Sequence, residues 1–391
     1  MSLRTGVAIL GAGPAGLLVA NILADRGVDC LILERHSRQY IEQRPRAGLI
    51  EHRAVTSLTE YGLADRLRVE GAQHVACEFR IAGGRYVADY GALTGGRMHY
   101  VYPQQELVKD MVAGYLKKGG EIRFEAEAVG VEDLDGRPVV AFTAGGGTET
   151  VECDIVAGCD GFHGAARRSI PAGAGEAYEY RHGYGWLAVL AEAPPSTRNI
   201  IYALHPDGFA GHMLRSRTVS RFYLQVPAGE PVAHWPDERI WSALRTRLAT
   251  SDDWTLQDGP IIDKGVLDMR SWVGEPMQFG NLYLAGDAAH ILTPAGAKGM
   301  NLALGDAREL ALGLVDRFRD GDGTRLEAYS ATRLPVVWRE QEFSTWLLNL
   351  LHGTGDHDQP RPFADRLRRV AIEQITGESP RARSFAASYV G

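Results

Sequence analysis

The chain begins with an apolar run, Val7-Ala8-Ile9-Leu10, that enters the glycine-rich turn Gly11-Ala12-Gly13-Pro14-Ala15-Gly16, and a second apolar run over residues 30–33 ends in Glu34. No other feature limits the fold as strongly. Gly11 permits a tight turn out of a strand, Gly13 lets the main chain approach a pyrophosphate, and Gly16 lets the following helix pack closely on that strand. Phosphate then meets the positive end of the helix. Glu34 ends the second strand, where a carboxylate accepts hydrogen bonds from ribose hydroxyls. Strand, turn, helix, strand and acid in this order predict a βαβ dinucleotide-binding unit.

Two later turns favour a flavin in this unit. Cys159-Asp160-Gly161 follows the apolar stretch 153–157, and Gly286-Asp287-Ala288-Ala289-His290 follows Leu282-Tyr283-Leu284-Ala285. A Gly/Asp pair after a strand is a turn signal. Asp287 also precedes a helix-forming stretch, where its carboxylate accepts bonds from ribitol hydroxyls while nearby amides face the flavin pyrophosphate. The remaining composition excludes several classes. A net charge of −7 argues against nucleic acid as a partner, because phosphate binding needs a basic surface. No apolar segment approaches the length of a membrane span, and the residues before Gly11 lack the features of a signal peptide, so a cytoplasmic protein without membrane contact is expected. The four cysteines, Cys30, Cys77, Cys153 and Cys159, have no metal-ligand spacing; no metal site is expected, and they read as buried thiols.

Helical spacing recurs over 50–69 and 105–118, the latter closing at Gly119-Gly120. Residues 75–89 alternate like paired strands, and 121–143 and 149–156 add strands around a Gly145-Gly146-Gly147 hairpin turn. Residues 184–227 read as a mainly β insertion, 301–318 and 324–351 as helices, the second kinked at Pro335, and 360–391 as mostly helical. The predicted fold class is mixed α/β. A Rossmann-like FAD-binding domain is assembled from 1–73, 98–180 and 268–320, a β-sheet substrate domain from 74–97 and 181–267, and a helical C-terminal region from 321–391.

The chain resembles the class A flavoprotein aromatic hydroxylases, nearest to those acting on 4-hydroxybenzoate. The resemblance rests on the glycine turn, Leu33-Glu34-Arg35, Arg46-Ala47-Gly48, Ala157-Gly158-Cys159-Asp160-Gly161-Phe162-His163-Gly164, Gly185-Trp186-Leu187, Ile201-Tyr202-Ala203, Arg270-Ser271, Gly286-Asp287, Gly296-Ala297-Lys298-Gly299-Met300-Asn301 and Tyr389-Val390-Gly391. It implies FAD, NADPH, molecular oxygen, and a 4-hydroxybenzoate-like aromatic acid hydroxylated ortho to its phenol through a flavin hydroperoxide. Arg46, Gln104, Asp287 and Asn301 match flavin contacts, beside Gly11, Gly13, Gly16, Glu34 and Asp160. Arg215 and Tyr223 match a clamp on the substrate carboxylate. Tyr202 would take the phenol proton, Tyr389 would relay it to His74, and Pro294 would offer a carbonyl. A histidine suits the last step because its unperturbed pKa is about 6.5. His163 and Arg270 match NADPH contacts, and the cations and hydroxyls of Arg35, Arg38 and Tyr40 beyond Glu34 favour NADPH over NADH. A homodimer through the C-terminal helices is implied as well.

The chain departs from the family pattern beside the carboxylate clamp. Met213 stands where the best-known members have a serine, and Gly211 replaces a large apolar residue. One reading is a pocket enlarged for an amino- or hydroxy-substituted benzoate; the other is a repacked strand. An FAD-dependent reductase or dehydrogenase without oxygen transfer is the alternative of another class. Disulfide reductases, however, need a redox cysteine pair near the glycine turn and a second dinucleotide fold, and the sequence has neither.

Overall fold

The structure, a computed structural model, describes residues 3–45, 48–352 and 361–391. Its first sheet grows around the buried strand Leu3–Leu10. That strand pairs in parallel with Cys30–Glu34 on one side and Gly147–Gly158 on the other, and Glu121–Phe124 and Leu282–Leu284 extend the parallel array outward. Strands buried on both faces read as continuous apolar runs, as residues 7–10 and 31–33 do. Helix Pro14–Asp25 makes the crossover and packs between this sheet and the long helix Lys298–Asp320. Helix Gln104–Lys117 covers the same side and stops at Gly119, whose φ of +82° suits glycine.

The second sheet has eight strands, in the order His290–Ile291, Ile261–Glu275, Glu176–Ala191, Ser220–Pro227, Ala210–Leu214, Ile200–Leu204, Ala76–Ile81 and Gly84–Asp89. The last two form the expected hairpin, turning at Ala82 and Gly83 with positive φ at both. The long strands Glu176–Ala191 and Ile261–Glu275 continue through positions 180 and 268, where the sequence suggested domain boundaries, with a shift in their pairing register between Arg181 and Gly185. Helix Asp237–Arg247 interrupts the mainly β segment and buries Ile240, Trp241 and Leu244.

One expected helix is divided. Residues 50–69 form the strand Leu49–Glu51, helix His52–Glu60 and helix Asp65–Glu70, because Gly62 takes a left-handed φ of +67° between the helices. Leu49–Glu51 joins His99–Val101 and Ala72–His74 in a small antiparallel sheet with His99–Val101 at its centre. In the C-terminal region, Thr324–Glu327 is a separate turn, and helix Tyr329–His352 runs through Pro335. Helices Arg361–Thr376 and Pro380–Val390 follow. The last carries Tyr389 back against the second sheet, where Phe385 and Tyr389 join the aromatic core.

Candidate active site

A continuous cleft of about 920 Å³ extends from the glycine turn to the second sheet. At its first end the glycines answer steric demands. Gly11 has φ +95°, and a Cβ there would lie 2.6 Å from the Cys159 carbonyl oxygen; a Cβ on Gly16 would lie 2.1 Å from the Gly11 oxygen. Nothing lies within 4 Å of a Cβ position on Gly13, so the main chain there is open to the cleft. Helix Pro14–Asp25 has no side-chain cap, which leaves its first amides available to an anion. Glu34 accepts hydrogen bonds from the Ala12 amide (2.8 Å) and the His36 amide (2.8 Å), so turn and second strand are locked together.

Asp160, Gln104 and Asp287 also line this end. Asp160 Oδ2 accepts from the Ala166 amide at 2.9 Å, while the buried Oδ1 makes no well-formed bond; burial pushes the carboxyl up. Asp287 is exposed on the cleft wall. Its loop is held from behind, where Asp306 accepts from the Gly286 amide (3.1 Å), meets His290 Nε2 at 2.6 Å and takes Arg333 at 2.8 Å. Asn301 is placed differently from a direct cofactor ligand. Its side chain donates to the Leu49 and Ala297 carbonyls and accepts from the Glu51 amide, so both amide donors are spent bracing the turn before the long helix. Arg46 lies outside the described residues. Open glycine main chain, uncapped helix amides and the exposed Asp287 carboxyl on the cleft wall together fit an FAD pyrophosphate and ribitol.

The opposite end is built by one face of the second sheet. Tyr202 pairs with Gly211, Gly211 with Tyr223, Tyr223 with Ala188, and Ala188 with Gly265, so these five form a row across four strand junctions. Met213 shares Gly211's strand and face, Arg215 directly follows that strand at the next position of the same alternation, and Arg221 stands opposite Met213. Tyr202, Met213, Arg215, Arg221 and Tyr223 all line the cleft. Burial, aided by the Arg221 charge, pushes Arg215 down to about 10, which leaves it a cation at neutral pH. Across the cleft, Pro294 projects from the turn Pro294–Gly296. The Tyr202 hydroxyl lies 2.7 Å from the Tyr389 hydroxyl and 3.3 Å from the Ala295 carbonyl. Burial pushes both phenols up, which disfavours a resting tyrosinate.

Gly211 does not widen this wall. A Cβ there would come within 3.0 Å of Phe209 Cζ, because the buried Phe209 ring fills the space between Trp186 (4.7 Å) and Tyr202 (6.3 Å). Behind it, Trp186 Nε1 donates to His352 Nε2 at 2.6 Å.

Comparison with known proteins agrees with this arrangement. The family model described as FAD binding domain matches residues 4–344. The p-hydroxybenzoate hydroxylase of Acinetobacter baylyi is 37% identical over 390 residues, spanning 100% of this chain and 96% of that protein. The chain belongs to the class A FAD-dependent aromatic hydroxylases. The aklavinone 12-hydroxylase DnrF of Streptomyces peucetius is 29% identical over 84% of this chain and 71% of its own length. Among solved structures, p-nitrophenol 4-monooxygenase PnpA from Pseudomonas putida matches with a TM-score of 0.85 at 20% identity, covering 100% of this chain and 99% of that one, which bears on the fold alone.

The hydroxylase places its other sequence-selected residues unevenly. Arg35, Tyr40 and His163 line the cleft near Glu34 and Asp160. Arg38 is instead paired with Glu42 at 2.7 Å on the exposed helix Arg38–Gln43, and Arg270 lies 4.1 Å over the Phe162 ring. His74 is buried in the small sheet. Phe209, Arg221, Asp306 and His99 escaped the sequence reading. Only Arg221 left a signal there, the Arg221-Phe222-Tyr223 alternation that puts it on Tyr223's face. Among the described residues no helix is long and apolar enough to cross a membrane.

Proposed function

We propose that this hydroxylase uses NADPH and oxygen to hydroxylate 4-hydroxybenzoate, or a close analogue, ortho to its phenol. The observation that carries the reading is the hydroxyl pair of Tyr202 and Tyr389 at 2.7 Å in the cleft that also presents Arg215 and Tyr223. Arg215 binds the carboxylate as a cation, and Tyr223 holds the same end. Tyr202 accepts the phenol proton as its own passes to Tyr389, and the Pro294 carbonyl orients the phenol. Ionising the phenol raises electron density at the ring carbon beside it, which is the carbon to be oxygenated. Bound FAD, once reduced, supplies the electrons that activate oxygen. Phe209 fills the space beside Gly211, so that glycine gives no support to a bulkier acid. Arg35, Tyr40 and His163 on the cleft wall support NADPH as reductant. A homodimer belongs to the same proposal, and Phe363, Leu367 and Val370 give helix Arg361–Thr376 an exposed apolar stripe for it.

The test is NADPH oxidation by the FAD-loaded enzyme with and without 4-hydroxybenzoate, with labelled oxygen traced into product. Acceleration with label in 3,4-dihydroxybenzoate is expected. Acceleration only by a different benzoate, or label only in hydrogen peroxide, would overturn the substrate assignment.

A further inference from the structure

The small antiparallel sheet places three titratable side chains in a line. Glu51 is opposite His99 and His99 is opposite His74, so all three project from the same face of adjacent strands. Directly opposed residues in such a sheet have Cβ atoms about 4.5–5.5 Å apart. His99 is fully buried, its ring edge-on to Tyr389 at 5.0 Å and to Tyr90 at 5.3 Å. Polar atoms without a well-formed bond are concentrated here: both ring nitrogens of His99, whose ring approaches the Tyr389 main-chain carbonyl loosely, His74 Nε2 and the Tyr90 hydroxyl. Buried polar atoms in folded proteins are normally satisfied, so such a concentration calls for a function. One or two bridging waters, with about three hydrogen bonds each, would join these atoms into a chain. The chain begins at the tyrosine that contacts Tyr202 and ends at His74, whose neighbours Gln73 and Val75 are exposed.

We propose that His99 is a relay residue that carries the phenol proton from Tyr389 to His74. The inference rests on the function proposed above. In the transfer, the phenol O–H breaks as a bond forms to the Tyr202 oxygen, Tyr202 gives its proton to Tyr389, and Tyr389 passes its own through a bridging water to one nitrogen of His99. The opposite nitrogen releases a proton to His74, which returns one to solvent; no electrons change hands. The groups facing His99 suit a conduit more than a store. Glu51 flanks it on the other side, but Lys298 Nζ binds that carboxylate at 2.6 Å. Burial first, then the charge of Lys298 and the proximity of His74, hold His99 well below the usual histidine range, so it rests neutral with one N–H and one lone pair.

The experiment mixes FAD-loaded enzyme with 4-hydroxybenzoate beside a pH indicator in a stopped-flow instrument and follows proton release. His99→Gln should slow release at least tenfold near pH 7 with FAD content and ligand dissociation constant unchanged, and His74→Gln should do the same. The defect should be confined to pH below the phenol's own pKa, because above it the ligand enters as the phenolate with no proton to release. A side chain with a merely structural part would instead alter FAD content or the ligand dissociation constant. His99→Asn, smaller and also unable to shuttle, provides the same readout if His99→Gln fails to fold. Wild-type release rates in a folded His99 variant, or slowing in the His74 variant alone, would overturn the relay. If the wild type binds 4-hydroxybenzoate without releasing any proton, the phenol-ionising function itself fails, and the relay with it; the relay fails alone when the wild type releases the proton and the His99 variants match it.

Discussion

Tyr202→Phe isolates the ionisation step because it keeps the ring and removes one oxygen. The ring is buried and stacked on Phe79 at 5.4 Å, so its position should survive. A phenol with the ordinary tyrosine pKa of about 10 is roughly 0.1% ionised at pH 7, and each pKa unit corresponds to about 1.36 kcal/mol. A site that makes the phenolate dominant at pH 7 must therefore supply about 4 kcal/mol. A hydrogen bond to a charged group is worth about 1.5–3 kcal/mol, so the Tyr202 hydroxyl accounts for about one to two units of that shift. The variant should bind the acid, yet its bound phenol should ionise one to two units higher and hydroxylation at pH 7 should fall ten- to a hundredfold. NADPH oxidation should continue with hydrogen peroxide as the main product. Losing its 2.7 Å partner also leaves the Tyr389 hydroxyl unsatisfied, a stability loss of about 1–3 kcal/mol. Absorbance titration of the bound ligand from pH 5 to 10, with peroxide trapped by catalase in an oxygen electrode, measures both effects. An unchanged ligand pKa with full coupling would refute the assignment of Tyr202.

Arg215→Ala should weaken benzoate binding at least a hundredfold, the equivalent of about 3–5 kcal/mol for leaving a buried carboxylate unpaired, as read by flavin absorbance titration. Met213→Ser adds a hydroxyl one alternation from Arg215, and equilibrium titration should show 4-hydroxybenzoate binding tighter by up to about 1.5–3 kcal/mol. Asp287→Ala should release FAD during gel filtration, since it removes the carboxylate facing the cleft while the Asp306 brace behind the loop persists. Acid should destabilise the protein through His212 and His352, both pushed down to about 3, chiefly by burial. The unfolded chain takes up these protons below about pH 6.5 and the native state does not, so this stability is complete above pH 6.5 and is lost as pH falls towards 3. At pH 5 the loss should be about 2 kcal/mol per histidine, visible as a drop in Tm that His212→Gln reduces.

Features settled by local chain geometry were legible in the sequence, and features settled by strand pairing were not. The turn at Gly11 requires positive φ and the crossover at Gly16 requires close approach, so glycine marks both wherever the rest of the chain lies. Ala82-Gly83 and Gly119 punctuate in the same way. Residues 50–69 show the limit of periodicity, since apolar spacing continues smoothly while Gly62 turns the chain. That misreading hid the strand Leu49–Glu51, and with it the register that sets Glu51, His99 and His74 side by side across 48 residues of sequence. Gly211 shows the same limit in the substrate wall. The sequence reveals a missing side chain, but what occupies the space depends on Phe209 turning inward between Trp186 and Tyr202. The space that Gly211 leaves is therefore filled from within the wall. Phe209→Ala, which deletes the filler and keeps Gly211, should be the change that admits a bulkier acid, at a cost of about 3–5 kcal/mol in stability from the cavity it leaves. If wider benzoates bind no better to that variant, the limit on substrate width lies on the cofactor side of the cleft.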